Sequence, residues 1–239
     1  MKINWNYIKM IGLCVVTVFL YAFATVRNND RKVSAPTIEF LGEQNLFITH
    51  ETVSKLLIQN QQGVTSVRKE TLDLNILEAS LNANPMIESA EVFVGVNGAF
   101  SARIEQKRPI ARVSNARAYY VDSQGGFMPL SKNYTERVPL VTGEINKKKL
   151  ANVFTIANKI YNDEFLKTNV VEIHQNADNS IYLKLRQCQF KVQLGQLKHL
   201  DKKINNLKAF YQKAIKDKTL KKYSKVNLQF ENQVVCTKV

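Results

Sequence analysis

The sequence contains no Walker loop, no G-x-G-x-x-G, no G-x-S-x-G and no H-E-x-x-H. Those patterns carry phosphate cradling, dinucleotide binding, acyl transfer and zinc hydrolysis, and the common forms of these chemistries have no footing here. C-x-x-C is missing too, so neither a zinc knuckle nor a thioredoxin-like redox pair is indicated. Cysteine is sparse, with three in the chain. Cys14 lies in an apolar run, while Cys188 and Cys236 stand far apart. The latter two could pair in an oxidising compartment, but one bridge is no framework. His50, His174 and His199 are scattered and read as a helix first turn, a strand end and a helix surface. Glu88 and Glu91 do not share a strand face, so they form no acid/base pair. Asp122 and Asp178 sit beside turn residues and read as turn formers. No catalytic, metal or cofactor-binding set emerges, and the expectation is a protein without enzyme activity or cofactors.

Acidic residues are in short supply. Lys and Arg number 34 against 20 Asp and Glu, a net charge of +14. Such a balance suits nucleic acid, an anionic lipid surface or an anionic polymer. The lysines are not set among stacking aromatics, as single-strand binding requires. Placement outside a membrane removes nucleic acid as a partner. Solubility beside an anionic surface accounts for the charge equally well.

Long apolar runs are also few; the sequence has one. Met10 to Val26 carries no charge, with Lys2 and Lys9 before it and Arg27, Arg31 and Lys32 after it. Its length lies at the short end of the roughly 17–25 residues a membrane helix needs. Trp5 and Tyr7 stand at an interfacial position, and Lys9 can snorkel. An uncleaved anchor is the leading reading. A cleaved signal is the rival, since Ala22-Phe23-Ala24 resembles an A-x-A site. A buried core helix is disfavoured because the run is uniform rather than one-sided. Flanking charge does not decide orientation. A short tail before a long domain suits an exported bulk.

The rest alternates between helix and strand signals. Residues 27–36 read as linker. Ile38-Glu39-Phe40 is a brief strand, and Thr49 caps a helix burying Val53, Leu56 and Leu57. A loop over Gln59–Lys69 precedes a helix from Thr71 or Asp73, burying Leu74, Leu77 and Leu81 and stopped by Asn84-Pro85. Ala90, Val92 and Val94 face one way before an Asn97-Gly98 turn; Phe100, Ala102 and Ile104 return. Strand, helix, helix, strand, strand make one small layered core.

Beyond Pro109 come short strands at Ile110–Val113, Ala118–Val121, Phe127–Leu130 and Val138–Val141. A helix is expected over Lys147–Lys159. Strands follow at Val170–His174, Ile181–Arg186 and Phe190–Leu194. The longest helix, Gln196–Lys216, carries Leu197, Leu200, Ile204, Leu207, Tyr211 and Ala214 on one face and Lys198, Lys202, Lys203, Lys208 and Lys213 on the others. It could lie on a membrane, but the strands beside it favour a core. Lys216–Lys225 reads as a solvated connector. Val226–Phe230 and Val234–Lys238 close the chain as strands. A strand reached last is often an edge that can accept a partner strand.

Two stretches, Leu81–Val92 and Ile104–Ala111, resemble the second half of a POTRA module. Tyr120-Val121-Asp122-Ser123-Gln124-Gly125, Val138–Gly143, Val192-Gln193-Leu194-Gly195 and Val226-Asn227-Leu228-Gln229-Phe230 follow in order. This succession resembles the bacterial cell-division family FtsQ/DivIB over nearly the whole chain. The resemblance implies an α+β fold: a cytoplasmic tail at 1–9, a transmembrane helix at 10–26, a POTRA domain at 37–109, and a mainly antiparallel β domain with helices on one face at 110–239. It implies a non-catalytic scaffold in the cytoplasmic membrane at the division site, its bulk on the periplasmic side. The implied partners are the small coiled-coil proteins FtsB and FtsL, with FtsB pairing by β-augmentation at the last strand of the β domain. Carried over, the partner-binding positions are Val226, Leu228, Gln229, Phe230 and Asn232, with Val234 and Val235 beyond. The family's strand commonly reads V-D-L-R and an aromatic. Asn227 and Gln229 replace the acid and the arginine, losing a charge-assisted bond. An envelope module binding an anionic cell-wall polymer is the alternative reading, and an envelope-processing enzyme with an unrecognised site is a third.

Overall fold

The computed structural model describes residues 5–29, 33–42, 45–59, 72–114, 118–145, 150–230 and 233–239. The chain divides into two compact units, Met1–Gln106 and Lys107–Val239. Gln59, the first residue of the loop expected over Gln59–Lys69, ends a helix, while residues 60–69 of that loop and the helix start expected at Lys147 lie outside the described residues.

The apolar run forms helix α1, Trp5–Asn29, 25 residues long. At about 1.5 Å per residue it spans roughly 37 Å, enough for a bilayer core. Leu13 and Phe19 are 67% and 69% exposed, so the protein itself does not bury this surface.

In the first unit, β1 (Thr37–Leu41), α2 (His50–Gln59), α3 (Leu74–Asn82), β2 (Ile87–Val94) and β3 (Phe100–Gln106) follow in the anticipated order. The sheet order is β1-β3-β2, with β1 parallel and β2 antiparallel to β3. Period-two alternation turns Phe100, Ala102 and Ile104 onto Val53, Leu57, Leu77 and Leu81, all fully buried. Asp73 starts α3 by accepting the Asn75 and Ile76 N–H groups. The outer edge of β2 is occupied: Ala90 N–H donates to Asn82 Oδ1 at 2.8 Å and Val92 N–H to Glu78 Oε2 at 3.3 Å. Buried Gln106 accepts from the Phe47 and Ile48 N–H groups and donates to the Ile48 carbonyl.

The second unit holds β4 (Pro109–Val113), β5 (Tyr119–Asp122), β6 (Phe127–Pro129), β7 (Leu140–Gly143), α4 (Ala151–Tyr161), α5 (Glu164–Asn169), β8 (Val170–Gln175), β9 (Ile181–Leu185), β10 (Lys191–Gly195), α6 (Leu200–Lys216), β11 (Tyr223–Asn227) and β12 (Val235–Lys238). They build a nine-stranded sheet in the order β12-β11-β10-β9-β8-β7-β4-β5-β6. Five neighbouring pairs are antiparallel; β4–β7, β7–β8 and β10–β11 are parallel. Two parallel joins need crossovers: α4 and α5 bridge β7 to β8, and α6 bridges β10 to β11. Val153, Ile156 and Ile160 of α4 and Ile204, Leu207 and Tyr211 of α6 share one core with Val141, Ile173, Leu183, Val192 and Val226. Helices therefore cover one face of the sheet; on the other face β8 to β11 present Glu172, Lys184, Lys191 and Lys225, while Tyr120 of β5 and Met128 of β6 are wholly buried.

Asp122 is wholly buried and does more than form a turn. Lys107 Nζ donates to its Oδ2 at 2.8 Å; the Gln124 and Gly126 N–H groups donate to Oδ1 at 3.0 and 2.7 Å. A Cβ on Gly126 would stand 2.8 Å from that carboxylate, so the turn requires glycine there.

Helix α6 departs from expectation in two ways. α6 starts at Leu200 rather than Gln196, because His199 takes a left-handed conformation before it. Lys203 is buried instead of solvated, its ammonium donating to the carbonyls of Leu194 and Gln196 at 2.8 and 2.6 Å. Lys203→Met is expected to cost about 2 kcal/mol, since two shielded carbonyls lose their donor. Urea denaturation checks this; a change under about 0.5 kcal/mol contradicts the role.

Candidate functional site

The sheet has two outer strands. β6 has three residues and ends in Pro129. Both features blunt an edge, since short strands and proline resist further pairing. β12 has four residues and no proline. It pairs with β11 on one side, and no described strand lies on the other.

The strand expected at this edge is not there. Val226 lies in β11, between β10 and β12, and is fully buried. Leu228 is also core, 1% exposed, with its N–H donating to the Gln193 carbonyl at 2.9 Å. Neither side chain is available to a partner. The open edge lies one strand further on, because α6 returns the chain into the parallel slot beside β10 and a hairpin then lays β12 outside it.

Local chemistry explains where β11 stops. Asn227 Oδ1 accepts the Gln229 N–H at 2.9 Å, an Asx turn that ends the strand. Asn227 offers the same oxygen acceptor that an aspartate would. Gln229 is exposed and packs over Gly195, whose φ of +66° and missing Cβ leave room for the amide. Phe230 is 48% exposed and follows the strand. Asn232 lies outside the described residues. Val234 packs against the core, while Val235 is 42% exposed on the edge itself.

Backbone polarity at the edge follows from the ladder. Val239 N–H bonds inward to the Lys222 carbonyl at 3.0 Å. Alternation along β12 turns the N–H groups of Cys236 and Lys238 outward. These two donors went unrecognised in the sequence, since only the pairing of β11 with β12 reveals them.

The polar face inside this edge carries a linked network. Lys184 Nζ meets Glu172 Oε2 at 2.6 Å, and Thr142 Oγ1 donates to Glu172 Oε1 at 2.8 Å. That leaves the Thr142 oxygen to accept from His174 Nδ1 at 2.7 Å. His174 stacks on Tyr182, and Lys191 Nζ lies 4.9 Å from the Tyr182 ring centre. Burial pushes the Glu172 carboxyl up, but the Lys184 and Thr142 bonds and the Lys184 charge outweigh it, and its pKa falls below the ordinary value. Asp163 shows the same contest, with burial overcome by Lys208 and the Leu166 N–H.

Both folded carboxylates are depressed. Their contribution is complete above the unfolded pKa of about 4 and is lost as pH falls through the lowered folded values. The melting-temperature gap between wild type and a Lys184→Met/Lys208→Met variant is therefore expected to hold steady from pH 7 to 5 and to shrink below about pH 4. A gap unchanged down to pH 2 contradicts the assignment.

Cys188 and Cys236 are free thiols packed against the core. Burial pushes Cys188 up to about 11, so it stays protonated and unreactive at neutral pH. Among the described residues no group of three or more His, Cys, Asp or Glu could hold a metal ion.

A family profile described as "FtsQ/DivIB, C-terminal related" matches residues 108–237, more than half the chain. The chain belongs to the FtsQ/DivIB-related family. The match runs from the first strand of the second unit to the penultimate residue of β12, so it takes in the whole sheet. FtsQ/DivIB membership supports a role in cell division, and α1 fits a single-pass membrane protein. No curated protein matches the chain.

Proposed function

We propose that this FtsQ/DivIB-related chain is a non-catalytic scaffold of the septum-forming complex. α1 holds it in the cytoplasmic membrane, with both folded units on the outer side. The first unit is its POTRA domain. β12 recruits an FtsB-like coiled-coil protein by accepting a strand, and an FtsL-like protein joins through that partner. The observation that carries this reading is the contrast between edges: β6 is blunted by its length and Pro129, whereas β12 presents open backbone donors at Cys236 and Lys238.

The test places a photoreactive side chain at Thr237 of the full-length chain in its own membrane, with Phe127 on β6 as the control site. Cross-linking at Thr237 is expected to yield a small coiled-coil division protein, identified by mass spectrometry. Equal yield at both sites, or no product at Thr237, overturns the assignment.

A further inference from the structure

One end of the nine-stranded sheet is crowded with lysine. From Lys213 to Lys225 the sequence holds six lysines and one acid, Asp217. The fold gathers them. α6 ends at Lys216, and Leu220 packs on the core to hold a 3-10 turn over Leu220–Lys222. Val239 N–H donates to the Lys222 carbonyl, which brings Lys238 alongside. Lys213, Lys216, Lys218, Lys221, Lys222 and Lys238 are exposed, and none pairs with a carboxylate among the described residues. Helix electrostatics accounts for two of them, since the negative pole of α6 favours Lys213 and Lys216 in its last turn. It does not account for Lys218. That residue takes a φ of +53° past the helix end, its N–H on the Ile215 carbonyl and the Thr219 N–H on the Ala214 carbonyl. Glycine ordinarily fills this place, because a side chain is strained there. A cation is kept where the backbone is strained and the fold gains no ion pair, which fits a ligand better than packing. Ile215, in the same turn, is 51% exposed.

Three observations name the ligand. α1 is long and apolar enough to keep the chain on a bilayer. The lysines surround an exposed apolar side chain, which a lipid surface rewards and a dissolved polyanion does not. The chain also enters the sheet at this end. Register aligns Arg112 of β4 through Leu140, Glu172, Lys184 and Lys191 with Lys225 of β11, and β4 and β11 run the same way. Pro109 therefore precedes Arg112 as Lys222 precedes Lys225, and the segment arriving from the anchor joins the sheet at its lysine-rich end. We propose that this end binds the anionic phospholipid face of the bilayer that holds α1, with the lysines on headgroup phosphates and Ile215 set between them. The contact is a second membrane attachment beyond strand capture at β12. It rests on α1 being an anchor and not on what β12 binds.

The test uses the full-length chain in vesicles of lipids with brominated acyl chains, which quench tryptophan on contact. Trp5 is the single tryptophan, so Trp5→Phe/Ile215→Trp carries one reporter, at this end. Its fluorescence is expected to fall roughly twofold in phosphatidylcholine holding about 30% phosphatidylglycerol, and to stay unchanged in phosphatidylcholine alone. The quenching is expected to vanish at about 1 M salt, where screening shortens to about 3 Å, and in Lys216→Gln/Lys218→Gln/Lys221→Gln/Lys222→Gln added to the reporter. Lys218→Gly is expected to raise the melting temperature yet weaken the quenching, a split that a purely structural lysine does not give. A chain that enters anionic vesicles without quenching, or is quenched equally in both lipids, overturns this contact and leaves α1 as the anchor. A chain that sediments apart from the vesicles overturns both. Poly(glycerol phosphate) that binds the chain in detergent and is lost in the four-lysine variant, with no quenching by anionic vesicles, assigns this end to a soluble polymer and overturns the proposal.

Discussion

Cys236→Pro is expected to weaken partner capture by roughly 10–100-fold without unfolding the sheet. The substitution removes one outward N–H, strands the matching carbonyl of the incoming chain, and sets a ring in its path. An unmade hydrogen bond at a covered backbone costs about 1–3 kcal/mol, and each 1.4 kcal/mol is a factor of ten. The bonds that hold β12 to β11 run through the other face of the strand, since Val239 N–H points inward. Proline is tolerated on an edge when its nitrogen faces solvent. Cys236→Ala keeps the N–H and is expected to bind nearly as wild type. Adding Lys238→Pro removes the second donor and should take binding below detection. Titration of the purified full-length chain with its partner reads all three; full affinity in the double proline variant would exclude strand addition at this edge.

Asp122→Ala should strongly destabilise the second unit. It deletes a carboxylate that is wholly buried, leaves Lys107 without its counter-charge, and frees two N–H groups of the β5–β6 turn. Removing one partner of a buried pair costs about 3–5 kcal/mol, and the partial exposure of Lys107 places this case near 3. For a unit of this size that lowers the melting temperature by roughly 10 °C. Asp122→Asn keeps the Oδ1 acceptor and should lose about half as much. Thermal melts followed by circular dichroism separate the two, and a fall of less than about 2 °C for Asp122→Ala would contradict the packing described.

Long periodic elements were legible in the sequence. The apolar spacing of α6 and the alternation of β2 and β3 both state which side is buried, and Ile204, Leu207, Tyr211, Phe100, Ala102 and Ile104 are buried as that spacing requires. Short or non-local features were not. α5 is six residues long, too brief for a helical period, and its one local mark is Asp163 capping the Leu166 N–H. Lys203 sits at a polar position of the helix pattern; only the fold brings the Leu194 and Gln196 carbonyls within its reach. The connector read over Lys216–Lys225 contains a short 3-10 turn at Leu220–Lys222 and the first half of β11, because Lys225 must register with Lys191.

The candidate edge illustrates the same limit. Val226–Phe230 and Val234–Lys238 both have strand composition, and nothing local says which lies outermost. That order is set by the crossover through α6, which slots β11 against β10 and sends the hairpin outward. Expectation therefore fell one strand short. The residues carried over by resemblance divide accordingly: Val226 and Leu228 support the edge from within, and Val235 stands on it.

Amide hydrogen exchange of the full-length chain, alone and with its FtsB-like partner, tests the docking edge most directly. If β12 receives a strand, the Cys236 and Lys238 amides exchange quickly in the free protein and become protected in the complex, while β6 is unchanged. A complex that forms with those two amides still exchanging at the free rate would contradict the account.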